Sequence, residues 1–204
     1  MNEDIGTSQS GGEISEMGNR PQKGSSWSGI WDWIKAILVA LVIAWLIHHF
    51  LFAQFRVDGI SMEPTLQNGE RLLVDKIPYY FGPPKRGDII IFRAPDGMDW
   101  VKRVIGLPGD TVQVYKGNLI LNGKIVHEPF INGPMNPLRN FGPEKVPPGD
   151  LFVMGDNRNV SEDSRVIGPI PISKVIGRVD FVFWPLNNFK FIGPTQEHYL
   201  PQTP

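Results

Sequence analysis

A serine and a lysine 41 positions apart are the residues of this chain best suited to covalent chemistry. Ser61 stands in Gly59-Ile60-Ser61-Met62-Glu63-Pro64-Thr65-Leu66. A serine hydroxyl is a poor nucleophile until a neighbouring base takes its proton, so one used for attack needs a stiff mount and a base. Pro64 fixes its own φ and turns Glu63 away from the α region, which holds the backbone after Ser61 extended or turned. Gly59 leaves room for another backbone to approach. Taken alone, the pentapeptide fits a buried structural serine beside a turn equally well.

Lys102 lies in Trp100-Val101-Lys102-Arg103-Val104-Ile105-Gly106-Leu107-Pro108-Gly109-Asp110. A lysine acts as a base only when neutral. Its ordinary pKa near 10.4 must then fall by roughly two pH units, each worth about 1.4 kcal/mol, and desolvation is the available cause. A strand here places Lys102 on one face with Trp100 and Val104, both apolar, while Arg103 points the other way and reads as ordinary surface. The plainer reading is a snorkelling lysine on an edge strand. No histidine is close in sequence, so a Ser-His-Asp triad would need His127 or His198 brought in by the fold. A third segment is Gly155-Asp156-Asn157-Arg158-Asn159-Val160-Ser161-Glu162-Asp163-Ser164-Arg165. It reads as a turn with local hydrogen-bonders, or as a loop whose hydroxyl holds the lysine nitrogen and whose Asp-Arg pair fixes the loop.

These residues need elements to position them. The chain has 204 residues and a net charge of -1, which offers no basic excess for nucleic acid, and it has no cysteine, which excludes disulfides and thiolate metal sites. Residues 1–29 lack apolar periodicity and read as a disordered cytoplasmic tail. Residues 30–53 read as a transmembrane anchor: Ala36 to Ile47 is uninterrupted and apolar, and Phe50 to Ala53 extends it past His48 and His49. Trp27, Trp31 and Trp33 suit the headgroup level, and Arg20, Lys23 and Lys35 precede the apolar run, so the remainder is delivered outside. A cleavable signal peptide is the alternative, against which stand the long preceding segment and the lack of a clear Ala-x-Ala site. Adjacent His48 and His49 diverge on a helix and read as interfacial polar residues rather than metal ligands; His127 and His198 are isolated and receive no role.

Residues 54–204 read as an extracytoplasmic β-rich domain. Arg71 to Lys76, Asp88 to Phe92, Thr111 to Tyr115, Leu151 to Met154 and Val179 to Trp184 are short β-prone runs bounded by Gly, Pro and Asp. Asn118 to Val126 reads as a hairpin whose Asn122-Gly123 suits a type I′ turn. The expected fold class is mainly β, several sheets wrapped into a compact barrel-like body after one transmembrane helix, with 132–149 a long surface loop.

With the motifs in hand, the chain resembles bacterial type I signal peptidase, in the serine-lysine form with a short catalytic domain. The likeness rests on Ser61-Met62-Glu63-Pro64-Thr65, then Arg86-Gly87-Asp88-Ile89-Ile90-Ile91-Phe92, then Lys102 to Asp110, then Gly155-Asp156-Asn157-Arg158 with Ser161, Asp163, Ser164 and Arg165, in order after an anchor. It runs from the anchor to about Pro185, and only about 45 residues separate Asp110 from Gly155, so the large inserted domain of some members is absent. The resemblance implies a membrane-bound serine endopeptidase that removes signal peptides from exported preproteins. Ser61 would be the nucleophile, Lys102 the general base, and Ser161 the residue that orients Lys102, with Asp163 and Arg165 holding the loop. The backbone N–H of Ser61 would be one oxyanion donor. Some members have a serine hydroxyl two positions before the nucleophile as the second donor. Here that position is Gly59, so a water or another amide must serve.

Val57, Met62, Leu66 and Trp100 would line shallow pockets for small residues, and the substrate would add a strand to a sheet edge. An anchored enzyme shares one surface with its anchored substrate, which raises effective concentration. An apolar patch including Phe141 or Trp184 would touch the bilayer. The resemblance implies no cofactor, no metal and no nucleic acid, and as partners preproteins and the lipid bilayer. It places the protein in the plasma membrane with the N-terminus cytoplasmic, and leaves a thylakoid-type membrane open. A self-cleaving repressor also uses a serine-lysine pair, but lacks an anchor and needs a basic DNA-binding helix. A tethered, non-catalytic peptide-binding module is the other alternative.

Overall fold

A computed structural model describes residues 26–50, 52–131 and 133–193. Helix α1 (Ser26–Phe50) takes in residues 26–29; the rest of the expected disordered tail lies outside the described residues, as does His198. Along α1 the side chains from Ile30 to Trp45 are exposed, and Asp32 and Lys35 pair at 3.5 Å. The side chains of His48 and His49 lie outside the described set. Among the described residues, no helix is long and apolar enough to cross a membrane.

Strand β1 (Phe52–Arg56) is followed by β2 (Arg71–Asp75), helix α2 (Pro78–Phe81), β3 (Ile89–Arg93), β4 (Asp99–Gly106), β5 (Thr111–Tyr115), β6 (Asn118–Leu121), β7 (Lys124–Ile125), β8 (Phe141–Lys145), β9 (Asp150–Met154), helix α3 (Ser164–Ile167), β10 (Ile170–Pro171), β11 (Val175–Trp184) and β12 (Lys190–Phe191). The larger sheet runs β1-β2-β11-β3-β4-β9-β10, with β12 also on β11; the smaller runs β7-β6-β5-β8. Each described strand pairing is antiparallel, as short turns between strands allow.

Alternation explains the cores. On β3, Ile89 and Ile91 face a cluster with Val57, Met62, Leu66, Leu72, Val74 and Val179, whereas Ile90 and Phe92 face another with Val104, Leu151, Val153 and Ile170. A strand covered on both faces reads as a continuous apolar run, as this one does. A third cluster fills the smaller sheet, where Val112, Val114, Leu119 and Leu121 meet Ile105 of β4. β4 therefore ties the two sheets together. Cleft-lining residues from both β1 and β4, which are separated by three strands in the sheet order, show that the larger sheet curls. Among the described residues it remains open, with edges at β1 and β10.

Three local features bear on the expectations. Asn122 and Gly123 have φ of 52° and 79°, the positive pair that a type I′ turn needs. Residues 132–149, expected as a loop, contain β8, registered Thr111↔Lys145, Val112↔Glu144 and Val114↔Phe141 with a bulge. Its Gly142-Pro143 hides the strand in sequence, and an edge position with a bulge is where a proline is tolerated. β11 starts four residues before the expected Val179. Gly177 breaks the pattern there because a Cβ would meet the Val74 side chain at 2.6 Å and the Asp75 carbonyl at 2.8 Å.

Candidate active site

Ser61 sits on the loop between β1 and β2. The loop is closed at its base by Val57 N–H donating to Glu70 O at 2.8 Å and Gly69 N–H donating to Val57 O at 2.9 Å. Leu66 N–H donates to Met62 O at 2.9 Å, and Gly59 N–H to Asn68 Oδ1 at 3.0 Å. Val57, Met62 and Leu66, expected to line substrate pockets, are buried in the core beneath this loop. They are apolar because they plug the loop into the sheet, and they thereby give Ser61 its stiff mount. Gly59 has φ of +101°, a conformation that side chains rarely adopt, so glycine suits this position.

Lys102, on β4, is registered against Ile90 of β3, with Trp100 and Val104 two residues to either side. Its Nζ is hydrogen-bonded to Ser61 Oγ at 2.9 Å and lies 5.2 Å from the centre of the Trp100 ring. The residue is 5% exposed. Burial pushes the amine down to about 8, against an opposing pull from the Asp163, Glu162 and Asp156 carboxylates. A neutral amine at this distance from a hydroxyl can remove its proton.

The segment after β9 forms the wall beside the pair. Gly155 N–H donates to Asp163 Oδ2 at 3.0 Å, and Asn157 N–H donates to Ser61 O at 3.0 Å. Asn157 Nδ2 donates to Ile60 O at 3.2 Å. Buried Asp163 caps α3 and takes a two-pronged contact from Arg165, with Nε and Nη2 each at 2.8 Å. Ser161, expected to orient Lys102, instead donates its hydroxyl to Glu162 O at 3.4 Å and packs against the α-carbon of Gly155. A Cβ on Gly155 would overlap Ser161 Oγ and the Ser61 carbonyl oxygen. The glycine thus permits close approach.

Arg103, read from alternation as surface, is 1% exposed. Alternation placed it correctly opposite Lys102, but that face is covered as well. Its Nε and Nη2 donate to Asp156 at 2.8 and 2.6 Å, Nη1 donates to Gly87 O at 3.1 Å, and Thr65 Oγ1 donates to the same carboxylate at 2.5 Å. Residues carrying no motif complete the wall. Glu128 pairs with buried Arg158, and the Phe130 ring lies 4.0 Å from the Arg103 guanidinium and 5.9 Å from that of Arg158. The apolar neighbours of Glu128 in sequence, Val126 and Phe130, were the available hint that this carboxylate is drawn inward.

Ser61 and Lys102 open on a cleft of about 310 Å³ lined by Phe55, Ile60, Leu72, Ile91, Trp100 and Val101, with Arg56, Asp58, Asp99, Val160 and Glu162. Of the four expected pocket residues, Trp100 lines it. The β4–β9 ladder begins at Arg103, so Asp99–Lys102 have no strand on that side among the described residues. His127 is exposed and lines a separate cavity with Gly117, Leu119 and Met135. Among the described residues no cluster of three or more potential ligands is placed to hold a metal ion.

A mainly β scaffold that brings a mounted serine against a buried amine belongs with the serine endopeptidases. The family model described as signal peptidase, peptidase S26, matches residues 30–184. The chain is 46% identical over 173 residues to signal peptidase I of Bacillus licheniformis, covering 80% of this chain and 93% of that one. It is 42% identical over 176 residues to signal peptidase I of Leptolyngbya laminosa, covering 82% and 86%. The crystal structure of a signal peptidase I from Enterococcus faecalis V583 matches at 34% identity and a TM-score of 0.42, covering 48% of this chain and 97% of that one. The chain belongs to the signal peptidase family, peptidase S26, and is a serine endopeptidase of the type I class.

Proposed function

We propose that this protein is anchored in a membrane by α1 and removes N-terminal signal peptides from exported preproteins, with Ser61 as nucleophile and Lys102 as general base. The observation that carries the reading is the 2.9 Å contact between a buried amine and the serine hydroxyl. Neutral Lys102 takes the hydroxyl proton as Oγ attacks the scissile carbonyl. The resulting ammonium gives that proton to the departing amine of the mature protein. The same amine then activates a water that releases the signal peptide from Ser61. The Ser61 N–H stabilises the oxyanion in both halves.

Substrate binding is supported by the edge of β1 and by the stretch Asp99–Lys102, which among the described residues has no strand on its β9 side, so that an extended peptide can hydrogen-bond there and present alternate side chains to the cleft. Asp163 and Arg165 hold the turn that carries Ser161 beside them. The anchor is supported by the uninterrupted apolar run from Ala36 to Ile47 and by the exposed apolar side chains of α1 between Ile30 and Trp45. The placement is a single pass in the plasma membrane with the N-terminus cytoplasmic and the catalytic domain outside. A bilayer contact is supported by the exposed Trp184, Leu186, Phe189 and Phe191 at and after the end of β11, of which Phe189 and Phe191 pack on Phe181. Phe141, by contrast, packs against Phe152 at 5.3 Å.

The test is incubation of the detergent-solubilised protein with a secretory precursor. A short N-terminal peptide is released by the wild type and by neither Ser61→Ala nor Lys102→Ala. Lys102→Arg is also inactive because guanidinium keeps its proton. Undiminished cleavage by Ser61→Ala would remove the assignment.

A further inference from the structure

Glu128 lies three residues beyond β7, outside every motif of the chain, yet it is 8% exposed. Its carboxylate accepts from Arg158 Nη1 at 2.7 Å and Nη2 at 2.5 Å. The remaining nitrogen of that guanidinium, Nε, donates to Gly155 O at 2.9 Å. A guanidinium bound through all three nitrogens has one orientation, and a two-pronged carboxylate contact is what imposes it. Phe130, two residues on from Glu128, packs beside the same group at 5.9 Å.

Between Gly155 and Arg158 stands Asn157, which grips the nucleophile's backbone twice, through its N–H to Ser61 O and its Nδ2 to Ile60 O. The second contact matters for chemistry. Ile60 O and the N–H of Ser61 belong to one peptide plane, and in a trans peptide they point in opposite directions. Holding the carbonyl therefore aims the N–H. Gly155 adds steric contact, since its α-carbon lies against Ser61 O with no room for a side chain.

We propose that Glu128 is a positioning residue for the Ser61 N–H that receives the oxyanion, acting through Arg158 and Asn157. This rests on the reading of Ser61 as nucleophile. The carboxylate touches no substrate. It fixes the guanidinium, the guanidinium fixes the Gly155–Arg158 turn, and the turn sets the tilt of the Ile60–Ser61 peptide. A donor aimed at the oxyanion acts on the transition state and not on the bound substrate, so its displacement lowers kcat and leaves KM alone.

The experiment uses the full-length protein in detergent, a fluorogenic peptide spanning a signal cleavage site, and a peptide aldehyde of the same sequence as a tetrahedral-adduct probe. Two variants are compared with wild type: Glu128→Gln, which keeps shape, and the double variant Glu128→Met/Arg158→Met, which removes both buried charges together and so strands neither. The expected result is a kcat lower by roughly tenfold to a hundredfold in both, with KM unchanged. Aldehyde affinity falls in parallel with kcat, and the midpoint of the pH profile moves little because burial, the main cause of the lowered Lys102 pKa, is retained. The double variant keeps a thermal midpoint close to wild type. Folded variants with wild-type kcat, a rise in KM alone, a loss of kcat that tracks the unfolded fraction, or failure of both variants to fold would each overturn the proposal. A wild type that fails to cleave would instead sink the signal peptidase reading itself.

Discussion

At the scale of a single residue, the informative group is the amine of Lys102. Burial drives it down to about 8 while three carboxylates pull it back. With that value about a tenth of the population is neutral at pH 7 and about nine tenths at pH 9. kcat/KM is therefore expected to rise severalfold from pH 7 to 8 and level off above 9; a profile flat from pH 6 to 9 would count against a lysine base. The same depression has a stability consequence of definite sign. In the unfolded chain this lysine titrates near 10.5, so between about 8 and 10.5 the unfolded state holds more protons and folding stability rises with pH. Below pH 8 the cost of the buried charge, on the order of 3 kcal/mol, is fully present. Lys102→Met is expected to raise the thermal midpoint at pH 7, and the gain should shrink as pH climbs through that window. A variant no more stable than wild type at pH 7 would mean that the amine is hydrated.

At the scale of the element, the segment from Gly155 to Arg165 is a strut rather than a flexible loop. Asp156 is fixed by Arg103 and Thr65, Asn157 by the Ser61 backbone, Arg158 by Glu128, and Asp163 by Arg165. The Arg165 contact closes the segment on itself, while the others reach the Ser61 loop, β4 and Glu128, so the strut holds these parts of the chain in one geometry. Gly155→Ala puts a methyl group into the Ser61 carbonyl and the Ser161 hydroxyl. We expect it to fold, because the clash can be relieved by displacing the Ser61 loop. It should lose about a hundredfold or more in kcat/KM through that displacement. Circular dichroism together with peptide cleavage checks this, and wild-type rates in Gly155→Ala would show that the loop yields without consequence.

At the scale of the whole molecule, the proposed anchor decides which substrates meet the cleft. An apolar helix and a cleft on one chain confine the search for a membrane-inserted precursor to a surface. A protein beginning at Phe52 is expected to cleave a short soluble peptide as well as the full chain does. It should be slower by about a hundredfold on a precursor reconstituted in the same vesicles. Equal rates on the reconstituted precursor would deny the anchor any part in processing.

Local signals settled much of this protein in advance. Short β-prone runs bounded by Gly, Pro and Asp marked β2, β5 and most of β9, and Asn122-Gly123 set the hairpin. The apolar run from Ala36 to Ile47 lies within α1, whereas Phe52 and Ala53 of the expected anchor belong to β1. Such signals act over a few neighbouring residues. The setting of Lys102 was legible for the same reason, because alternation alone put Trp100 and Val104 on its face. What the sequence could not reveal was which charges are buried. Arg103 finds Asp156 53 positions away and Arg158 finds Glu128 30 positions away, and nothing in the neighbours of either arginine names its partner. Nor could spacing tell that Val57, Met62 and Leu66 point into the core, that Gly155 is small to admit another backbone, or that β8 exists on the edge offered by β5. Those outcomes depend on what the other strands bring to the same place, and only the folded sheet brings it.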